Sequence, residues 1–429
     1  MSENAAAQTR VRDAQVTFRH QPFLHPLRLS TGVIAEITEA RASVRVSVNG
    51  REATGQGALY LSDLWAWPDP SRSHTERDAH LRALCERFAA ELPALCGGEP
   101  AHPLELGLRL HESVCRMPAP ADPPALARAL CASPFDAALH DATGRALGVS
   151  AFALYREPVP LPTADPCFSG SDARAAIART FRETPVTAFD AWLVVSGDGD
   201  LEAEAAPWIR ERGYRAFKIK LKGRDPVEDA RNTVRVFRAV REFGAAQPRL
   251  CSDANCACPD AESVRAYLEC VRAEDAEAFV ALEYLEQPTG RDIHAAPNDW
   301  RAATRLKPVL LDEGLTGLEV MAEALAQGWS GFALKTCKGH SLALTAAAWA
   351  RERGLLLALQ DLTNPGLSAI HAALFAAHVP TLNGVELNSP QFTPAANAEW
   401  LPRLRALFAP TDGIHRLSAA SPPGLGTEW

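Results

Sequence analysis

Apolar and polar positions alternate along this chain in two regimes. Between residues 14 and 62 the period is two: VTFRH, ARASVRVSVNG and GQGALYL read as strands, punctuated by Asn-Gly and further glycines. From 73 to 155 the apolar positions recur every three or four residues, as in HLRALCERFAAEL and PFDAALHDATGRALG, which predicts helices. A meander followed by helices predicts an α+β unit over residues 1–155. The proline-rich EPVPLPTADP, at 157–166, belongs to a connecting segment assigned to residues 156–185.

Past residue 186 short apolar strands alternate with helices. The strands are AFDAWLVV, RAFKIKL, RLCSD, FVALEYLE, PVLLD, GFALK, LLLALQD and GVELN. Between the second and third lies DPVEDARNTVRVFRAVREFG. There Asp225 is a natural cap, Pro226 suits the first turn, and Val227, Ala230, Val234, Phe237 and Val240 share a face. Repeated βα units over residues 186–390 fit either a doubly wound sheet or a closed barrel, and periodicity does not choose between them. Residues 391–429 form a final stretch.

Composition narrows the function classes. The chain has 429 residues, 47% hydrophobic and 22% charged, with a formal net charge of −8. That acidic balance argues against a nucleic-acid surface. No apolar run reaches the roughly 20 residues needed to span a bilayer, and MSENAAAQTRVRD lacks the apolar core of a signal peptide. A cytoplasmic address without membrane partners is expected. The ten cysteines include no C-x-x-C pair, so reduced thiols are expected rather than zinc or disulfides.

Almost every strand of the second half ends in an ionisable group. AFKIKLKG puts Lys218 and Lys220 on one strand face, CSDAN ends at Asp253 and Asn255, and YLEQP ends at Glu286. LLDEG carries Asp312 and Glu313, and ALKTCKG carries Lys335. Each has a bland reading: a helix cap for Asp253, a turn for Glu286, a loop cation for Lys335, a solvated face for the lysine pair. Their register favours a shared site, because they fall roughly 23 to 33 residues apart, about one βα unit each. Apolar strands leading to them imply burial, and buried charges must be paired or bound to metal. Three carboxylates on different strands, Asp253, Glu286 and Asp312, suit Mg²⁺, with Mn²⁺ as the alternative. Glu313, pointing the other way along its strand, is given a supporting role. Lys218 and Lys220 are expected to face inward and depress each other's pKa, freeing a neutral amine as base.

This ordered set resembles the enolase superfamily, within it the muconate-lactonizing-enzyme-like subgroup of the mandelate racemase/muconate lactonizing enzyme family. The resemblance rests on K-x-K at 218–220, D-A-N at 253–255, E-Q-P at 286–288, D-E at 312–313 and Lys335. It is supported by FDAALHDATGRALG at 135–148, similar to the family's link between cap and barrel. It implies a modified (β/α)7β TIM-type barrel with an α+β capping domain completed by the last stretch of the chain. It implies Mg²⁺ held by Asp253, Glu286 and Asp312, a small-molecule carboxylate substrate, and a homo-oligomer. Lys220 and Lys335 would be acid/base catalysts on opposite sides, with Lys218 near the substrate carboxylate. Removing the α-proton through an enediolate would then lead to racemisation, epimerisation or cycloisomerisation. The alternatives are a lyase of the dehydratase or o-succinylbenzoate-synthase kind, and a non-catalytic ligand-binding relative.

Departures from the pattern limit the reaction. The spacing from Asp253 to Glu286 is a few residues long, KTCKGHS replaces a Gly-Gly, QDLTNPG has no histidine, and ELNSPQ lacks D-x-D. Asn255, Asp361 and Glu386 remain as candidate substrate-binding residues, the last two weighed equally against capping or surface roles. Trp65, Trp67 and the loop HPLRLSTG at 25–32 are candidate lid elements; interface packing is the favoured reading of the tryptophans.

Overall fold

The Asn49-Gly50 pair closes a hairpin in which both residues have positive φ, 50° and 82°. Such a turn matches the twist of paired strands and selects Asn-Gly. It joins β2 (Gly32–Val48) to β3 (Arg51–Tyr60), and β1 (Thr9–Leu29) pairs with the other edge of β2, all antiparallel. The computed structural model describes residues 7–29, 32–157, 159–168, 172–360 and 364–428. The inward face of this sheet, with Ala42, Val44, Val46 and Val48 fully buried, packs on the helix Ala125–Leu147. Close approach is bought by Gly55 and Gly57: a Cβ on Gly57 would lie 2.1 Å from the Pro134 carbonyl oxygen, and one on Gly55 2.2 Å from the Ala142 nitrogen.

The second half is a parallel sheet of seven strands. In spatial order they follow the sequence: β5 (Trp192–Ser196), β6 (Ala216–Lys220), β7 (Arg249–Asp253), β8 (Leu282–Glu286), β9 (Val309–Leu311), β10 (Gly331–Leu334) and β11 (Leu356–Leu359). Trp192, Ala216, Cys251, Tyr284, Leu310, Ala333 and Ala358, one from each strand, pack together as the barrel's inner layer. Phe217 and Ile219, on the opposite face of β6, join the main core under the helices. A short pair, β4 (Ala188–Asp190) and β12 (Ile414–Arg416), lies apart from the barrel sheet. This is the barrel with an antiparallel cap that the motif set implied.

Several local expectations fail for physical reasons. GVELN at 384–388 is not a strand. The gap between β11 and β5 is bridged partly by side chains: Asn383 exchanges bonds with both backbone groups of Leu359, at 2.9 and 2.8 Å. Gln391 does the same for Val194, at 3.1 and 2.7 Å. Amide side chains thus supplement two backbone bonds to β11, Leu382 N to the Leu357 carbonyl at 2.7 Å and Glu386 N to the Leu359 carbonyl at 3.1 Å. AFDAWLVV is broken at Ala191 into β4 and β5. In FVALEYLE only LEYLE is strand; Phe279–Ala281 end a helix, Ala276–Ala281, capped by Asp275. With the helix Ala261–Glu274 it accounts for the long spacing before Glu286. Asp225 caps the helix Pro226–Glu242 as read, but Val227 is exposed because the first turn leaves the core.

The end of the chain returns to the first half. Leu425 donates its backbone N–H to Asp141 at 2.9 Å, and Ala151 N bonds the Gly424 carbonyl at 2.9 Å. All ten cysteines are free thiols, five of them buried. Among the described residues no helix is long and apolar enough to cross a membrane. Because the β3–helix contact has no room for a methyl group, Gly57→Ala is expected to cost about 1–3 kcal/mol, measured as a lowered urea midpoint with unchanged m-value.

Candidate active site

The carboxyl ends of the strands converge on one buried cluster of charge. Lys220, Asp253 and Glu286 stand in direct register on β6, β7 and β8. Asp253, Glu286, Asp312, Glu313 and Glu386 are all essentially inaccessible, as are Lys218, Lys335 and Lys338; the Lys220 side chain retains 17% exposure. The cluster therefore contains five carboxylates and four ammoniums in one low-dielectric space.

Each cation has specific partners. The Lys218 ammonium contacts Glu286, lies 3.2 Å from Glu386 Oε2 and 3.5 Å from Asp253 Oδ2, and donates to Gln360 Oε1 at 2.9 Å. Lys220 donates to Asp253 and, at 3.0 Å, to Asn255 Oδ1. Lys335 lies 2.9 Å from Asp312 Oδ2 and donates to Gln360 Oε1 at 3.1 Å. Lys338 donates to Asp312 Oδ1 at 3.0 Å and to the Asp312 carbonyl at 2.6 Å. Both oxygens of Asp312 are thereby held by lysines.

The strand ends are shaped to present these groups. Asn255 and Cys256 adopt positive φ, and Asn255 N–H bonds Asp253 Oδ1 at 2.8 Å, which turns the chain sharply after β7. Gln287, also at positive φ, accepts from Asp312 N at 3.0 Å and Gly314 N at 2.9 Å, tying β8 to the turn after β9. That turn places Asp312 toward Lys335 and Lys338, and Glu313 toward Trp65 and Asn255. Trp65 Nε1 donates to Glu313 Oε1 at 2.8 Å, and Asn255 Nδ2 donates to the same oxygen at 3.3 Å. The Trp65 ring lies 5.7 Å from the Lys335 ammonium. Trp67 packs instead against His80 and Arg72.

Burial and charge act against each other at every member. Burial works to raise the Asp253 carboxyl, but Lys220 and Lys218 outweigh it and hold it below the usual carboxylate range. Asp312 is likewise held low against burial, by Lys335 and Lys338. Glu286 and Glu313 go the other way, with burial dominant and neighbouring carboxylates adding to it. For Lys218 burial favours the neutral amine, yet Glu286, Glu386 and Asp253 raise its pKa well above the ordinary value. The expected depression is overturned at Lys218: three surrounding carboxylates outweigh burial, the largest effect opposing them. Lys335 is raised in the same way, burial being overcome by Asp312.

The residues read from the sequence mostly meet here. Lys218, Lys220, Asp253, Asn255, Glu286, Asp312, Lys335 and Glu386 share the cluster; Glu386 is buried against Lys218 rather than at a surface. Asp361 lies outside the described residues. Lys338 and Gln360 went unremarked in the sequence. The second lysine of KTCK lies on a 3-10 turn, Thr336–Lys338, and that spacing was the available signal. The stretch read as a loop at 25–32 is strand as far as Leu29, and 30–31 lie outside the described residues; His25, Pro26 and Leu27 line a cavity of about 260 Å³ that reaches Lys220, with Trp208 and Phe392 on its other walls.

The donor set fits a hard dication by type: carboxylate oxygens at the ends of adjacent strands, with neither Glu286 oxygen accepting a well-directed hydrogen bond. Among the described residues no three such side chains already stand as a metal cage, since lysines occupy the space between them.

A family model described as "Enolase C-terminal domain-like" matches residues 200–429. No curated protein matches in sequence. Among solved structures the chain is similar to a dipeptide epimerase from Enterococcus faecalis complexed with Mg and L-Leu-L-Tyr, with a TM-score of 0.65, 15% identity, and coverage of 97% of this chain and 99% of that one. An N-succinyl Arg/Lys racemase from Bacillus cereus gives 0.64 at 17% identity, covering 98% and 95%. Muconate lactonizing enzyme from Pseudomonas putida gives 0.63 at 20% identity, covering 97% and 96%.

Removing Lys218 leaves Glu286 and Glu386 without their cation. In metal-free buffer at neutral pH, Lys218→Met is expected to lose about 3–5 kcal/mol. Glu286 binds its proton more readily folded than unfolded, so its ionisation costs stability as pH rises above the usual glutamate range. The deficit of Lys218→Met relative to wild type should therefore shrink as pH falls toward about 4, read from urea midpoints across pH.

Proposed function

We propose that this chain, which belongs to the enolase C-terminal domain-like family, removes the proton beside a carboxylate and returns it, acting as an isomerase. The observation that carries the reading is the flanking of three buried carboxylates by two separate lysines, Lys220 against Asp253 and Lys335 against Asp312. Asp253, Glu286 and Asp312 would hold Mg²⁺, which when bound would draw negative charge from the substrate carboxylate.

The remaining work falls to the protein. Lys218, kept cationic by Glu286, Glu386 and Asp253, faces the substrate carboxylate as a fixed positive charge. Lys220, whose side chain keeps 17% exposure, first gives its proton to solvent; as the free amine it takes the α-proton, and the bonding pair moves into the carboxylate to give an enediolate. Lys335, held as the ammonium by Asp312, delivers a proton to the same carbon from the other side. The two exchange roles for the opposite enantiomer, so proton count and charge balance. Trp65 covers Lys335 and keeps water from it. The cavity beyond Lys220 receives the rest of the substrate, a small-molecule carboxylate.

This supports racemisation or epimerisation, with cycloisomerisation sharing the same intermediate. Elimination would follow if the substrate carried a leaving group on the next carbon. Incubation of candidate acids in D₂O with Mg²⁺ separates these outcomes: exchange with inversion supports the isomerase, loss of water the lyase. Lys220→Ala and Lys335→Ala are each expected to lower racemisation about 10²–10⁴-fold. Each should still exchange deuterium into the one enantiomer whose proton faces the remaining lysine, checked by chiral NMR or mass spectrometry. Full activity in both variants would sink the reading.

A further inference from the structure

Gln360 follows β11 and is completely buried, its backbone N–H fixed to the Leu334 carbonyl at 2.9 Å. Its side-chain oxygen accepts from two ammoniums at once, Lys218 at 2.9 Å and Lys335 at 3.1 Å. An ammonium only donates, so the amide has one sensible orientation, oxygen toward both lysines and NH₂ turned away. The Nε2 group then finds no acceptor among the described residues. A buried donor with no partner destabilises the fold, and its persistence calls for an explanation.

The position supplies one. Gln360 bridges the lysine proposed to face the substrate carboxylate and the lysine proposed to move the proton, so its amide belongs to the same cluster, with Nε2 unpartnered at its edge. We propose that Gln360 is a catalytic residue that donates Nε2–H to a carboxylate oxygen of the substrate. The inference rests on the isomerase reading above. Negative charge grows on that oxygen as the α-proton leaves, so the hydrogen bond strengthens along the reaction. A neutral amide suits the place because it adds a donor without adding a further charge beside Lys218 and Lys335. Its oxygen also separates those two cations.

Oxalate, a planar dianion with two adjoining carboxylates, serves as the probe while the substrate is unidentified. Calorimetry on Mg²⁺-saturated protein compares wild type, Gln360→Met and Gln360→Glu, with thermal melts to establish folding. Both variants lack the donor, and each is expected to bind oxalate at least about tenfold more weakly, as loss of a hydrogen bond to a charged acceptor implies. Their Mg²⁺ affinity without oxalate should stay within about threefold of wild type, since Gln360 touches none of the three carboxylates assigned to the ion. If Gln360→Met does not fold, Gln360→Glu decides. Unchanged oxalate binding overturns the inference and leaves the isomerase reading standing. A fall in Mg²⁺ affinity equal to the fall in oxalate affinity overturns it too, because Gln360 would then be structural. If wild type binds oxalate no better with Mg²⁺ than with EDTA, the isomerase reading itself fails and this inference falls with it.

Discussion

Five carboxylates and four ammoniums share one buried space, and the rest of the structure is arranged around that constraint. Taking a charge out of water is so costly that no member can stand alone. Each lysine is consequently placed against at least one carboxylate, and Asp312 is held by two. The pairing is incomplete on the acidic side. Glu286 and Glu313 have carboxyls pushed upward by burial and by their acidic neighbours. An additional cation would relieve that imbalance, which is the electrostatic reason for reading the cluster as a metal site rather than as a set of closed salt bridges.

The cap and barrel are joined at this cluster, not merely near it. Trp65, on a short helix from Asp63 to Ala66, sends its indole N–H to Glu313, and its carbonyl accepts from Arg291 at 2.6 Å. On the other side Asp136, in the helix Ala125–Leu147, accepts from the backbone N–H and hydroxyl of Ser341, both at 2.8 Å. Ser341 lies just past the 3-10 turn that carries Lys338. His140 Nε2 lies 2.8 Å from the same hydroxyl, and Tyr155 joins His140 to His340 at 3.0 and 2.9 Å. The Ser-His-Asp grouping is fully buried and bonded within itself, so it acts as a clamp. It fixes the turn after β10, and with it the two lysines on Asp312.

Much of this was legible because charge at a strand end is visible in a sequence. AFKIKLKG shows its two faces by alternation alone, and CSDAN, YLEQP, LLDEG and ALKTCKG show acids and a lysine at the matching places. What periodicity left open, a closed barrel or an open sheet, was decided by the resemblance those charges carried. The misses differ in cause. Lys338 is charged but stands three residues past Lys335, off the strand end, whereas Gln360 and Gln287 are uncharged and their roles come from what reaches them across strands. The expectation for Lys218 failed likewise, because its carboxylates arrive from β7, β8 and the segment after β11, none adjacent in sequence. GVELN has the apolar pattern of a strand, but only Glu386 of it bonds β11 through its backbone, and the side chains of Asn383 and Gln391 supply the other links.

The two lysines proposed as acid and base are not equivalent, and the difference bears on how the proposed substrate would be held. Lys335 is buried, bonded to Asp312 and Gln360, and covered by the Trp65 ring. Lys220 keeps some exposure and borders the cavity of about 260 Å³ described above. In the proposed reaction a carboxylate seated at Lys218 would have its α-carbon between the two lysines, and the arm it carries would enter the cavity on the Lys220 side, between Leu27 of the first hairpin and Phe392. Turnover in both directions would then need only the α-carbon to invert, with the carboxylate and the arm staying where they are bound. A proton leaving toward one lysine and arriving from the other is what opposed lysines would permit.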